Sequence, residues 1–216
     1  MAFEVLDEHE QGELVRKWVR DNWVSIAVGI AIGLSLIFGW QQWKLRQVRT
    51  QGEAAMQFRA FADAMEAGRE DDATKIADAL RSNHAGSPYV VFASLEQAEK
   101  AVAKGDLAAA QAALAVADAN TKDSTLKALV ALRMASVLLA NGDASGALAR
   151  IDGMSKTDFV ALASELRGDA LTRLGRSADA RSAYEEALKA LDPMSPGRDL
   201  IEMKLGDLPD AEKQNS

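Results

Sequence analysis

Cysteine is absent from the 216-residue chain, which excludes a disulfide framework, a cysteine-ligated zinc site and a thiol nucleophile. That absence fits any cellular compartment. Histidine is nearly absent: His9 and His84 are the only two, no H-x-x-x-H spacing exists, and a zinc site has no ligand set to draw on. His84 reads as a solvated loop residue. Prolines number four, the first at Pro88, so nothing interrupts a helix in the first 87 positions. β-Branched residues are sparse beyond residue 43 and no apolar/polar alternation occurs, which argues against strands. Basic clusters are lacking too. Residues 1–49 balance six acids with six bases, so the whole net charge of -7 falls on residues 50–216. An acidic domain repels a phosphate backbone, and nucleic acid is disfavoured as a partner.

The charged residues that are present assemble no nucleophile, base and orienter, so the chain reads as non-enzymatic, with no cofactor and no metal. Glu70, Asp71 and Asp72 follow Gly68 and read as favourable charge at a helix N-terminus. Glu96 with Glu99, and Glu185 with Glu186, read as solvated helix faces among bases.

One long uncharged run does exist. From Asn22 to Trp43 no residue is charged, and 22 positions at about 1.5 Å each suffice to cross roughly 30 Å of hydrocarbon. All four tryptophans flank it, Trp18 and Trp23 on one side, Trp40 and Trp43 on the other. Indole favours the headgroup level, so the two pairs mark two interfaces. No A-x-A-like cleavage site follows the run, which predicts an uncleaved signal anchor. Ser25, Gly29 and Gly33 form a small-residue ridge, a candidate packing face for another membrane helix. Orientation is open on charge: Arg16, Lys17 and Arg20 precede the span, and Lys44, Arg46 and Arg49 follow it. The count is a tie. A leading segment with nine charges is awkward to translocate, which favours a cytoplasmic N-terminus without deciding it.

Beyond the run, apolar residues recur at helical spacing, as in Val91, Leu95, Ala98 and Val102, and again in Leu126, Leu129, Val130, Met134 and Val137. Glycines punctuate these stripes at Gly68, Gly105, Gly142 and Gly175, spaced 37, 37 and 33 residues apart. That is the period of helix-turn-helix repeats. Small residues stand before and after each turn: Gly168 and Ala180 around Gly175, Ala135 and Ala147 around Gly142, Ala98 and Ala110 around Gly105. A large residue follows each set, respectively Tyr184, Ile151 and Leu114. Around Gly68 the pattern is degenerate, with Phe61 in a small-residue position. This layout resembles tetratricopeptide repeats, in which small residues let antiparallel helices touch and the large one fills the gap to the next pair.

The predicted fold is therefore all-α: a transmembrane helix followed by a TPR-like helical-repeat solenoid. Its parts are a short tail over 1–21, the signal anchor over 22–43, repeats over 44–206 and a polar, disordered tail over 207–216. A last helix near 198–205 would cover the final pair. Repeat geometry puts the first helix of each pair on the concave side, making Gln97, Lys127 and Arg167 candidate groove residues.

The segments E-L-V-R-K-W-V-R-D-N-W, G-W-Q-Q-W, P-Y-V-V-F-A-S-L-E-Q-A-E, K-A-L-V-A-L-R-M-A and S-E-L-R-G-D-A-L-T-R-L-G, in this order, resemble the YfgM family of ancillary SecYEG translocon subunits. The likeness runs to about Leu208; the alanine-rich stretch at 107–119 departs from it. The resemblance implies a bacterial inner-membrane protein with a cytoplasmic N-terminus and a periplasmic repeat domain. It also implies SecYEG and the membrane-anchored chaperone PpiD as partners, with emerging polypeptides as clients passed on to periplasmic chaperones. Without the resemblance, a scaffold for cell-envelope or division machinery and a cytosol-facing tether remain open.

Overall fold

The computed structural model describes residues 8–154 and 159–209. It is all-α, with no strand among the described residues. In chain order the helices are α1 (Glu8–Glu66), α2 (Glu70–Asn83), α3 (Pro88–Ala103), α4 (Leu107–Asn120), α5 (Ser124–Ala140), α6 (Ala144–Asp152), α7 (Val160–Arg173), α8 (Ser177–Ala190) and α9 (Arg198–Gly206). The chain divides into two units, Met1–Gly52 and Glu53–Ser216.

In the first unit the chain is helical from Glu8 onward, so most of the expected leading tail is helix. None of residues 12–52 is buried, and Val28, Ile32, Leu36 and Phe38 all present their side chains outward. So continuous an apolar surface is unstable against water and suited to hydrocarbon, and the helix is long and apolar enough to cross a membrane. Two of its polar side chains bond their own backbone: Ser35 Oγ donates to the Ala31 carbonyl (2.8 Å) and Asn22 Nδ2 to the Trp18 carbonyl (2.9 Å). In lipid such internal satisfaction is required. The Trp40 and Trp43 rings lie 5.3 Å apart. Ser25 is exposed, and a Cβ on Gly29 or Gly33 would meet nothing within 4 Å.

The second unit is built of helix pairs joined by one kind of turn. Gly68, Gly105, Gly142 and Gly175 all have φ between +71° and +85°, where an L side chain is strained. Each turn closes the same way. The Gly105 N–H donates to the Val102 carbonyl and the Asp106 N–H to the Ala101 carbonyl, both at 2.9 Å, and the other three repeat that double bond. The residue after the glycine changes from turn to turn. Asp106 and Asp143 cap α4 and α6, accepting from the N–H groups of Ala109 (2.9 Å) and Gly146 (2.8 Å). Arg69 and Arg176 cannot cap, and acids in the first turn of α2 and α8 meet the helix dipole there instead.

The small residues around each turn are buried together. Ala98 and Ala110 share a core with Leu114 and Met134, Ala135 and Ala147 share one with Ile151 and Ala170, and Ala180 packs with Leu171, Tyr184 and Ile201. Gly168 lies against the next helix with no room for a side chain: a Cβ there would stand 2.4 Å from Tyr184 Cε1. Around Gly68, Phe61 is itself fully buried with Ala73 and Leu80, so that pair meets across a ring in place of a small residue.

Two expectations need correcting. His84 is not a solvated loop residue; it ends α2 at only 8 % exposure, and its Nδ1 has no hydrogen-bond partner among the described residues. Leu208, assigned to a polar tail, is 5 % exposed in the core that holds Tyr184 and Ile201. Residues 210–216 of that tail lie outside the described residues.

The last core carries a polar network. Tyr184 donates to Asp169 Oδ1 (2.8 Å), and Lys204 of α9 reaches Glu165 Oε1 (2.8 Å) and Asp169 Oδ2 (2.9 Å). Burial, opposed by the Thr172 hydroxyl and reinforced by Asp169, pushes the Tyr184 phenol up to about 12. Burial works against the Lys204 charge too, yet Glu165 and Asp169 hold its pKa above the ordinary value. Both groups therefore keep their protons in the fold beyond the point, roughly pH 10, at which the unfolded chain releases them. Their contribution is complete below that pH and is lost as pH rises through the folded values. Unfolding midpoints measured at pH 8 and pH 11 should drop more for the parent than for Tyr184→Phe; equal drops would refute the linkage.

Candidate functional groove

The face left over by the core stripe forms the candidate site. On α3 the buried residues are Val90, Val91, Ala93, Ser94 and Ala98; Phe92, Leu95, Glu99 and Val102, one position after Val91, Ser94, Ala98 and the half-buried Ala101, lie about 100° further round the helix. That second stripe lines two adjoining hollows. The first, of about 770 Å³, lies between the end of α1 and α3, with Phe58, Met65, Phe92, Leu95, Glu96 and Glu99 in its wall. The second, of about 250 Å³, lies between α3, α4 and α5, and Leu95, Val102, Leu114, Leu129, Arg133 and Val137 contribute to its lining. Leu95 and Glu99 belong to both.

Aromatic rings build the wall of the first hollow. Phe58 stands 5.5 Å from Tyr89 and 6.3 Å from Phe92, and Tyr89 and Phe92 are 6.3 Å apart, centroid to centroid. These separations fall in the favourable tilted and edge-on range, so the cluster is stiff. It is also incompletely covered: Phe92 remains 38 % exposed, and in the second hollow Val102 is 44 % exposed. Glu96 is not simply solvated. Burial first, then the like charge of Glu99, holds its carboxyl above the usual range.

Of the groove candidates read from the sequence, none lies in either hollow. Gln97 is half-buried on another side of α3. Arg167 is exposed, with Nε 3.4 Å from Asp152 Oδ1 on α6. Lys127 lines a separate depression of about 330 Å³ with Asp118, Arg150 and Met154, where Arg150 pairs with Asp118 at 3.0 Å. The structure does not bring the three together. In the sequence Leu95 and Val102, which line the hollows, share one helical stripe with the core residues Val91 and Ala98.

Comparison with known proteins agrees with this architecture. Residues 16–210 match the family model of the tetratricopeptide repeat-like domain. A protein of Escherichia coli K12 named ancillary SecYEG translocon subunit is 31 % identical over 202 residues, covering 94 % of this chain and 97 % of that protein. Its namesake in Haemophilus influenzae is 27 % identical over 208 residues, 96 % of this chain and all of that one. One from Neisseria gonorrhoeae is 38 % identical over 89 residues, 41 % of this chain and 43 % of its own. No solved structure gives a significant match. With an apolar membrane-length helix ahead of glycine-turned helix pairs, and a likeness that runs nearly end to end, the chain belongs to the YfgM family of ancillary SecYEG translocon subunits.

Proposed function

We propose that the chain is a non-enzymatic, membrane-anchored scaffold of the Sec translocon whose repeat groove holds chaperone partners or emerging clients. Residues 22–43 anchor it in the bacterial inner membrane, with the N-terminus in the cytoplasm and the repeats in the periplasm. SecYEG and the membrane-anchored chaperone PpiD are its partners, and it helps pass translocated polypeptides to periplasmic chaperones. The observation that carries this reading is the family likeness over 94 % of the chain, combined with an uncovered apolar groove on a repeat domain. Such grooves bind peptide segments, because the stacked pairs offer a continuous concave surface.

Photocrosslinkers placed at 44–60 in intact membranes are expected to capture translocon or chaperone subunits. Recovery of cell-wall or division proteins in their place would reject the reading. A reporter fused after Ser216 is expected to be active only in the periplasm, and cytoplasmic activity would reject the orientation.

A further inference from the structure

The charges around the two hollows are uneven. Glu66, Glu96 and Glu99 line the first together with the cation Lys100, and both Glu99 and Arg133 line the second. No lysine or arginine pairs with Glu96 or Glu99 among the described residues. Elsewhere in the domain partly buried carboxylates do have partners: Asp118 has Arg150, and Glu165 and Asp169 have Lys204. Two neighbouring acids beside a stiff aromatic wall, one of them half-buried, are electrostatically incomplete.

We propose that the hollows take a net-basic amphipathic segment of a partner protein, with large apolar side chains seated against Phe58, Phe92 and Leu95 and a lysine or arginine reaching Glu96 and Glu99. The inference rests on the reading of the repeat domain as a binding scaffold and adds the chemistry of what is bound. Leu95 and Glu99 belong to both hollows, so one helical segment with apolar residues at i, i+3, i+4 and i+7 can fill the two in sequence. The half-buried position that raises the Glu96 carboxyl is the environment in which an incoming cation gains most, because neutralising the pair relieves both burial and repulsion.

The test uses the full-length chain in detergent and a labelled peptide with leucines at i, i+3, i+4 and i+7 and lysines on the flanking positions. Its counterpart carries glutamates in place of the lysines. The lysine peptide is expected to bind more tightly, to weaken as salt rises, and to lose about five- to tenfold in affinity in Glu96→Gln/Glu99→Gln. The glutamate peptide should gain from the same substitution. Melting should be unimpaired, since the amides keep the shape and remove the repulsion. Equal affinity for the two peptides, or no effect of the substitution, would overturn the inference, as would dimerisation competed away by the lysine peptide, which assigns the hollows to a second copy. Loss of peptide selectivity with translocon crosslinks intact removes this inference and leaves the scaffold reading standing. Intact selectivity without such crosslinks does the reverse.

Discussion

The double substitution Gly168→Ala/Tyr184→Ala is expected to be more stable than Tyr184→Ala alone, although Gly168→Ala by itself destabilises. The Tyr184 ring is 2 % exposed and its hydroxyl is held by Asp169, so it cannot retreat from a methyl group 2.4 Å away. Overpacking of this kind costs about 1–3 kcal/mol, which lowers the melting temperature by roughly 2–4 °C per kcal/mol in a domain of this size. Tyr184→Ala empties the same space and costs about 3–5 kcal/mol. Once the ring is gone the three closest atoms to the methyl are gone with it, and alanine recovers the ~1 kcal/mol by which glycine is the poorer helix former. Denaturant unfolding of the four variants reads the reversal directly. Additive effects would mean that the contact between α7 and α8 at Gly168 does not set the spacing of the pair.

A stop codon after Gly197 is expected to unfold the last pair. It removes Ile201 and Leu208, each all but fully buried against Leu171, Ala183 and Tyr184, and burial of two such side chains contributes about 3–6 kcal/mol. It also removes the Lys204 ammonium from between Glu165 and Asp169, leaving two partly buried carboxylates facing each other. The sum approaches the whole stability of an ordinary domain, roughly 5–15 kcal/mol. Hydrogen exchange should show amide protection lost over α7 and α8 and retained over α3 and α4, because each pair leans on its neighbours alone. Uniform loss along the domain would contradict that picture, and retained protection in α8 would mean that α9 is dispensable.

The architecture was readable because its rules are local. A left-handed turn needs glycine, two touching helices need small side chains, and both demands recur at Gly105, Gly142 and Gly175 whatever the rest of the chain does. Where burial depends on distant chain, the reading failed. His84 is covered although its neighbours are Asn83 and Ala85, with nothing to signal an interior position. Leu208 is one apolar residue in a polar stretch, without a period to announce it. The groove was half legible. Leu95 and Val102 satisfy the same helical spacing as the core residues Val91 and Ala98, and periodicity cannot tell a side chain that fills a core from one that lines a hollow. Glu96 is an analogous case: its acid neighbour Glu99 is close in sequence, but its desolvation comes from packing around α3.

The cores of the second unit are also ordered along the chain. One runs from Ala54 to Ala93, the next are completed by Val130 and Val137, then by Ala170, and the last only by Leu208. A chain that emerges N-terminus first can therefore close each pair soon after its residues are available, without waiting for its far end. Helix α9, which brings Ile201 to the last core, is the element on which that final pair has to wait.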